Sequence, residues 1–434
     1  MAGVTLGNAI ESPPIRPARR VAHQRQDVWS IINSAIAGST VEPVINMGQG
    51  LFDYNPPQFV LGAAKLAMDR VECNQYSPSK GRQRLREALA TTYSPLLMRD
   101  LDPETEIAIT SGANEGMLSA FMGFLDHGDE VIVFEPFFDQ YISNIEMAGG
   151  KVVYVPLNPP PAGHSQTTSA GEWSLDREKL ESAINPKTKM IVVNTPNNPV
   201  GKIFSRQELE LIAGHCIPRN IIILADEVYD KLCYTPFTRI ATLSAETKRL
   251  TLTVGSVGKD FYATGWRIGF LIGTPELIQY VVRAHTRICF VSVSPLQEAA
   301  ATGYEQAAEL GFWEQSIALT WGKLKRFNEI WDELGLPYSI PQGGYFVLVN
   351  FAKVKIPGDY YFPPHIASRP RDFKLAWFLI NELGVAAIPP SGKYKFYTDE
   401  NAHAVEDYLR FGVTRTDEAL EQAKQRLRAL KKYM

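Results

Sequence analysis

Six short apolar runs recur through the middle of this chain, each closing on a turn or a polar residue: TEIAITSG, DEVIVFEP, GKVVYVPL, TKMIVVNTP, NIIILADE and RLTLTVGS. A strand with one wet face alternates apolar and polar residues. These runs do not alternate, so both of their faces must be covered. Helical patterns lie between them, among them MLSAFMGFLDHG, REKLESAI and SRQELELIAGHCI. Continuous apolar strands separated by helices predict a mostly parallel sheet flanked by helices, an α/β domain of doubly wound type. Residues 159–173, PPPAGHSQTTSAGEW, interrupt the alternation and read as a surface insertion or loop. Beyond about residue 315 the order becomes helix, strand, helix, strand, which predicts a smaller α+β domain that also takes in the stretch near VINMGQG. The expected division is an arm at 1–26, a small domain from 27–58 and 316–434, and a large domain at 59–315.

Bulk properties exclude several classes of partner. A chain of 434 residues with a net charge of −3 is long enough for two domains and carries no basic footprint for nucleic acid. No apolar window is long enough to span a bilayer, so no membrane association is expected. Four cysteines, Cys73, Cys216, Cys233 and Cys289, show neither CxxC pairing nor histidines at zinc-finger spacing, and read as free thiols with no metal site. The partners expected are therefore small molecules. Four arginines and one acid in the first 26 residues keep a mitochondrial presequence open beside a cytoplasmic location.

In an open α/β sheet, ligands bind beyond the carboxyl ends of the strands, so the polar residues there are the candidates. TEIAIT leads into Ser111-Gly112-Ala113-Asn114 and a helix, which suits either a phosphate at the helix N-terminus or an ordinary cap. NIIIL leads into Ala225, then Asp226 and Glu227, with Tyr229 beyond. A carboxylate there needs a partner, either a structural salt bridge or a cationic ligand nitrogen. Asn198, in NTPNNPVG, can point an amide at the same space.

RLTLTV is followed by Ser256, Lys259 and Arg267. Thr253 and Asp260 break the Walker pattern, and GQGLFD lacks the third glycine of a dinucleotide fingerprint. Phe261, Tyr262 and Trp266 are expected to wall Lys259 off from water. A desolvated lysine among cationic groups becomes an amine nucleophile that forms a Schiff base with a carbonyl.

NQYSP, TSGANEG, EPFFDQY, NTPNNPVG, ADEVYD, GSVGKDFYATGWRIG and YLRFGVTR, in this order, resemble the fold-type I aminotransferases of class I/II that use pyridoxal 5'-phosphate. The likeness covers roughly residues 28 to 434. INMGQGLFDY and NTPNNPVGKIF resemble the branch of kynurenine aminotransferases, glutamine transaminases K and cysteine-S-conjugate β-lyases. The resemblance implies a large domain of mostly parallel sheet flanked by helices, a smaller α+β domain, and a homodimer with shared active sites. It implies that Lys259 is the Schiff-base lysine and proton carrier and that Asp226 pairs with the pyridine nitrogen. Asn198 and Tyr229 would bond the phenolic oxygen, and Phe138 would stack on the ring. The phosphate would be held by Ser256, Arg267 and the backbone at Gly112, Ala113 and Asn114, with Tyr76 reaching it from the other subunit. Arg410 would clamp the substrate α-carboxylate, and Gly50 would pass close to the substrate. Trp29, and Phe290 from the neighbouring subunit, would line the side-chain pocket, although Val291 stands where mammalian-type enzymes are expected to carry histidine.

The implied reaction, part of amino acid metabolism, moves the amino group of an L-amino acid to a 2-oxo acid by a ping-pong mechanism. Kynurenine and other aromatic or large apolar amino acids, and glutamine, are the expected donors, because Trp29, Phe138, Tyr141 and Phe290 could wall a flat side chain. The alternatives are a cysteine-S-conjugate β-lyase, another eliminating enzyme of the fold such as one acting on S-adenosylmethionine, and a regulator without catalysis. The last would require a DNA-binding domain that 26 arm residues cannot form.

Overall fold

All six apolar runs become strands of one sheet. The computed structural model describes residues 15–22, 28–391 and 402–434, so most of the expected arm, and residues 392–401, lie outside the described residues. Eight strands form the large sheet. Their order across it is Ile107–Thr110, Gly269–Ile272, Thr251–Ser256, Ile222–Asp226, Thr188–Asn194, Glu130–Glu135, Lys151–Asn158 and Ser174–Leu175. Pairing is parallel from Thr251–Ser256 through to Lys151–Asn158. Gly269–Ile272 runs antiparallel between Ile107–Thr110 and Thr251–Ser256. The sequence reading missed this strand, because GFLI is only four residues long. Ile107–Thr110, Ile222–Asp226 and Thr251–Ser256 are buried throughout, as their unbroken apolar runs require.

Asn194 pairs with Asp226, and Asp226 with Val254, so three carboxyl ends finish side by side at one edge. The turn after Ile107–Thr110 opens the helix Ala113–Phe124, which packs on the helix Pro275–Ile288.

A second sheet pairs Tyr408–Gly412, Phe346–Asn350, Tyr338–Ile340 and Thr168–Ser169. The long helix Phe312–Leu334 precedes it and stops at Gly335, whose φ of +62° glycine adopts without a Cβ clash. Ile45–Asn46 pairs in parallel with Val385–Ala386.

Residues 159–173 are not a plain surface loop. Thr168 and Ser169 add a strand to the second sheet, Ser169 and Glu172 form a capping box, and Trp173 is fully buried with its Nε1 donating to Ser339 Oγ. The prolines and glycines there mark turns, but the burial of one large aromatic decides where the segment lies. One continuous apolar cluster, including Val192, Leu224, Trp331, Val347 and Phe411, links the two sheets.

Candidate functional site

A cavity of about 300 Å³ opens at the carboxyl edge of the large sheet, against the second sheet. Lys259 enters it from the short helix Val257–Asp260, immediately after the strand Thr251–Ser256. Its Nζ donates to Tyr345 Oη at 2.8 Å and to the Gly50 carbonyl at 3.1 Å, and Tyr345 Oη donates to the same carbonyl. The rings beside the ammonium are Tyr345 and Tyr229, at 5.5 and 5.9 Å. The expected wall of Phe261, Tyr262 and Trp266 is therefore corrected. Phe261 stacks on Phe312 in a separate apolar cluster, with Trp266 packed against that cluster. Tyr262 turns to Phe52 and Tyr54 and bonds Ser316. Successive residues of a helical turn point in different directions, so neighbours in sequence are not neighbours of the amine.

Asp226 ends its strand with its carboxylate almost fully buried. Tyr141 Oη donates to Oδ2, and the Val228 N–H lies 3.4 Å from Oδ1. Burial pushes this carboxyl up to about 6, against the lowering effects of Tyr141, the Val228 N–H and the Lys259 charge. Between pH of about 4 and 6 the folded chain thus keeps a proton that the unfolded chain has lost. Stability falls as pH rises through that window and stays lower above it. A shift of about two units corresponds to about 3 kcal/mol at most. Asp226→Asn is expected to stabilise the ligand-free protein by about 1–3 kcal/mol at pH 7.5 in urea denaturation, with the gain vanishing near pH 4. A variant no more stable than the parent at pH 7.5 would contradict this account.

Opposite these groups is a cradle for an anion. Gly112 caps the helix Ala113–Phe124 with a φ of +85° and no side-chain hydrogen bond, so the first N–H groups of the helix face outward. A Cβ on Gly112 would lie 2.3 Å from Arg267 Nη2, so only glycine admits that guanidinium. Ala113, Asn114, Ser256 and Arg267 line the cavity here.

Arg410, on the strand Tyr408–Gly412, lies at the other end, only 1% exposed. Nη1 donates to Asn198 Oδ1 at 2.8 Å and Nη2 to the Gly48 carbonyl at 2.7 Å. Its guanidinium sits over Phe346 at 4.0 Å and Trp29 at 5.7 Å. Burial lowers it to about 10, which leaves it charged at neutral pH. A Cβ on Gly50 would come within 2.8 Å of Phe346, so the chain passes too close there for a side chain.

The structure thus brings together Trp29, Gly50, Ala113, Asn114, Phe138, Asn198, Asp226, Tyr229, Ser256, Lys259, Arg267 and Arg410, with Gly112 at the rim against Arg267. Tyr76 and Phe290 are not part of this lining. They meet edge to face at 5.4 Å on the surface, 82% and 54% exposed. Several participants escaped the sequence reading. Tyr345 bonds Lys259, Asn194 Oδ1 accepts the Asn198 N–H, Asp139 accepts Trp29 Nε1, and Phe346 underlies Arg410. Tyr141, expected as a pocket wall, instead uses its hydroxyl on Asp226. The two glycines before Tyr345 in QGGYF were the only local signal, and they mark a turn without indicating a contact to Lys259.

Comparison with known proteins gives a consistent picture. The family model described as "Aminotransferase class I and II" matches residues 42–427. The Saccharomyces cerevisiae protein BNA3, named "Probable kynurenine--oxoglutarate transaminase", is 51% identical, over 94% of this chain and 93% of its own length. A kynurenine–oxoglutarate transaminase of Dictyostelium discoideum is 35% identical, over 89% of this chain and 91% of its own. The crystal structure of Bna3p from Saccharomyces cerevisiae superposes with a TM-score of 0.94 at 50% identity, covering 97% of this chain and all of that one.

Proposed function

The chain belongs to the class I and II aminotransferases, and from that premise we propose that it uses pyridoxal 5'-phosphate and takes kynurenine or another aromatic or large apolar L-amino acid as donor. Fold-type I architecture and transfer of an amino group to a 2-oxo acid come with the family. The observation that carries the cofactor reading is one cavity holding an amine, a buried carboxylate and an anion cradle. The donor set suits a phosphorylated pyridine aldehyde. Gly112 leaves room for Arg267 and exposes helix N–H groups suited to a phosphate, and Asp226 is a deep carboxylate suited to a ring N–H.

In this reading Ser256, Arg267 and the backbone at Gly112, Ala113 and Asn114 hold the phosphate. Asp226 holds the ring nitrogen, kept in place by Tyr141, while Asn198 and Tyr229 bond the phenolic oxygen and Phe138 covers the ring face. Bound there, the cofactor supplies an electron sink for the substrate Cα. Lys259 Nζ takes the Cα proton and returns it, with Tyr345 and the Gly50 carbonyl setting where the amine rests. Arg410 binds the α-carboxylate and Trp29 the side chain. In the described residues, 59–315 make the cofactor-holding domain, apart from Thr168–Ser169, which joins the second sheet, and 28–58 with 316–391 and 402–434 make the small one.

Tyr76 and Phe290 serve the cavity of a second copy in a homodimer. The support is that both rings are exposed and pack on each other, and that the packed elements Gln58–Met68 and Val71–Asn74 carry exposed Leu66 and Val71, apolar surface that a monomer would leave wet. Sedimentation as a monomer at micromolar concentration would remove this part of the reading.

The deciding experiment loads the protein with pyridoxal 5'-phosphate and adds kynurenine, phenylalanine, glutamine or aspartate in turn, following the absorbance of the bound cofactor. Kynurenine and phenylalanine are expected to convert it to the amine form at least about tenfold faster than aspartate, since one well-fitted apolar group is worth 1–3 kcal/mol. Preference for aspartate would overturn the donor class. Failure with every donor would overturn the cofactor reading.

A further inference from the structure

Three side chains that the transferase reading does not use converge beside the Ser111–Asn114 turn. Glu115 lies in the first turn of the helix Ala113–Phe124. His285 is in the last turn of the helix Pro275–Ile288, and Cys289 is its C-cap. His285 Nδ1 is 2.9 Å from Glu115 Oε2 and 3.3 Å from Cys289 Sγ, and one ligand atom from each of the three lies within 4.8 Å of the others. None of the three lines the cavity.

We propose that Glu115, His285 and Cys289 bind one thiophilic divalent cation of the zinc class, with a fourth position left to water or to Ser111 Oγ. Three physical facts support the site. The first is distance. Zinc bonds of about 2.0–2.3 Å in tetrahedral array place ligand atoms about 3.3–3.6 Å apart, so the two His285 distances need adjustments of only a few tenths of an ångström, while Glu115 and Cys289, within 4.8 Å of each other, close by at most about 1.5 Å. The second is charge. A carboxylate, a thiolate and a neutral imidazole sum to minus two, which cancels the cation in a place where His285 is 1% exposed. The third is donor type, since sulfur with imidazole selects zinc over magnesium or calcium.

Binding is balanced simply. The Cys289 S–H bond breaks, the sulfur–metal bond forms, and the proton leaves to solvent. A capping role alone explains Glu115, which accepts the Ser111 N–H at 2.9 Å and the Ser119 hydroxyl at 2.5 Å. It gives no use to Cys289. The cation would compete with the Ser111 N–H for Oε2, one residue before Gly112, so occupancy reaches the anion cradle through that hydrogen bond.

The test dialyses the cofactor-loaded protein against buffered Zn²⁺ and measures metal per chain, with Co²⁺ as a spectroscopic probe. About one equivalent is expected, together with a sulfur-to-cobalt charge-transfer band. Cys289→Ser should lose the band, and both Cys289→Ser and His285→Gln should weaken binding about a hundredfold or more, as expected for loss of a direct ligand. Circular dichroism establishes that the variants are folded. If one fails to fold, the band in the parent protein and the other variant decide. Less than about a tenth of an equivalent bound, absence of the band, or parent-like binding by a folded variant would overturn the proposal.

Discussion

Lys259→Ala is expected to lower turnover by about 10⁴-fold or more while leaving the fold intact. The amine is the only primary amine among the described residues lining the cavity, and both the carbon–nitrogen exchange and the movement of the Cα proton require it. The fold survives for a local reason. Among the described residues Lys259 Nζ bonds Tyr345 Oη and the Gly50 carbonyl, and these bond each other at 3.1 Å, so removing the amine orphans neither. Urea denaturation of the ligand-free variant should therefore fall within about 1 kcal/mol of the parent. Two readouts separate loss of chemistry from loss of binding. Borohydride should fix the cofactor covalently to the peptide containing residue 259 in the parent alone, and equilibrium dialysis should still find cofactor bound to the variant through its phosphate. Turnover above about one hundredth of the parent value would exclude the assigned role, since a proton carrier alone contributes 10²–10⁴-fold.

Local patterns reached the residues that follow strands. Asp226, Ser256 and Lys259 were legible because each comes directly after an unbroken apolar run, where an α/β sheet presents its ligands. Arg410 was not legible in that way. YLRFG alone reads as a strand with one charge, and only the order of the other motifs gave it meaning. What escaped is contact over long separations. Tyr345 is 86 residues from Lys259 and Tyr141 is 85 from Asp226, and no periodicity records which tyrosine among eighteen will face which partner. The segment 159–173 failed for a related reason. Its turn residues were read correctly as turns, but the burial of Trp173 against Ser339 depends on a strand well over a hundred residues later. The aromatic wall expected around Lys259 treated sequence neighbours as spatial neighbours, which a helical turn does not permit.

Arg410→Lys is expected to lower kcat/KM for amino acids by about 10²–10³-fold. The guanidinium is held from behind by Asn198 and Gly48 and backed by the face of Phe346, so its plane is fixed before any substrate arrives. A planar fork meets a carboxylate with two parallel hydrogen bonds, whereas an ammonium offers a point charge. Hydrogen bonds to charged groups are each worth about 1.5–3 kcal/mol, and a lysine here would also leave the Asn198 amide oxygen or the Gly48 carbonyl without its donor. Because this grip on the carboxylate is made before as well as during reaction, the loss should fall mainly on KM, with kcat reduced less. The decisive comparison pairs an amino acid with the amine that lacks its carboxylate. The parent enzyme should favour the amino acid strongly, and Arg410→Ala should bring the two values of kcat/KM close together by losing the amino acid alone. If the variant kept the parent's preference, the carboxylate would have to be recognised elsewhere, and Arg410 would be left a structural role, tying the Gly48 carbonyl to the Asn198 side-chain amide.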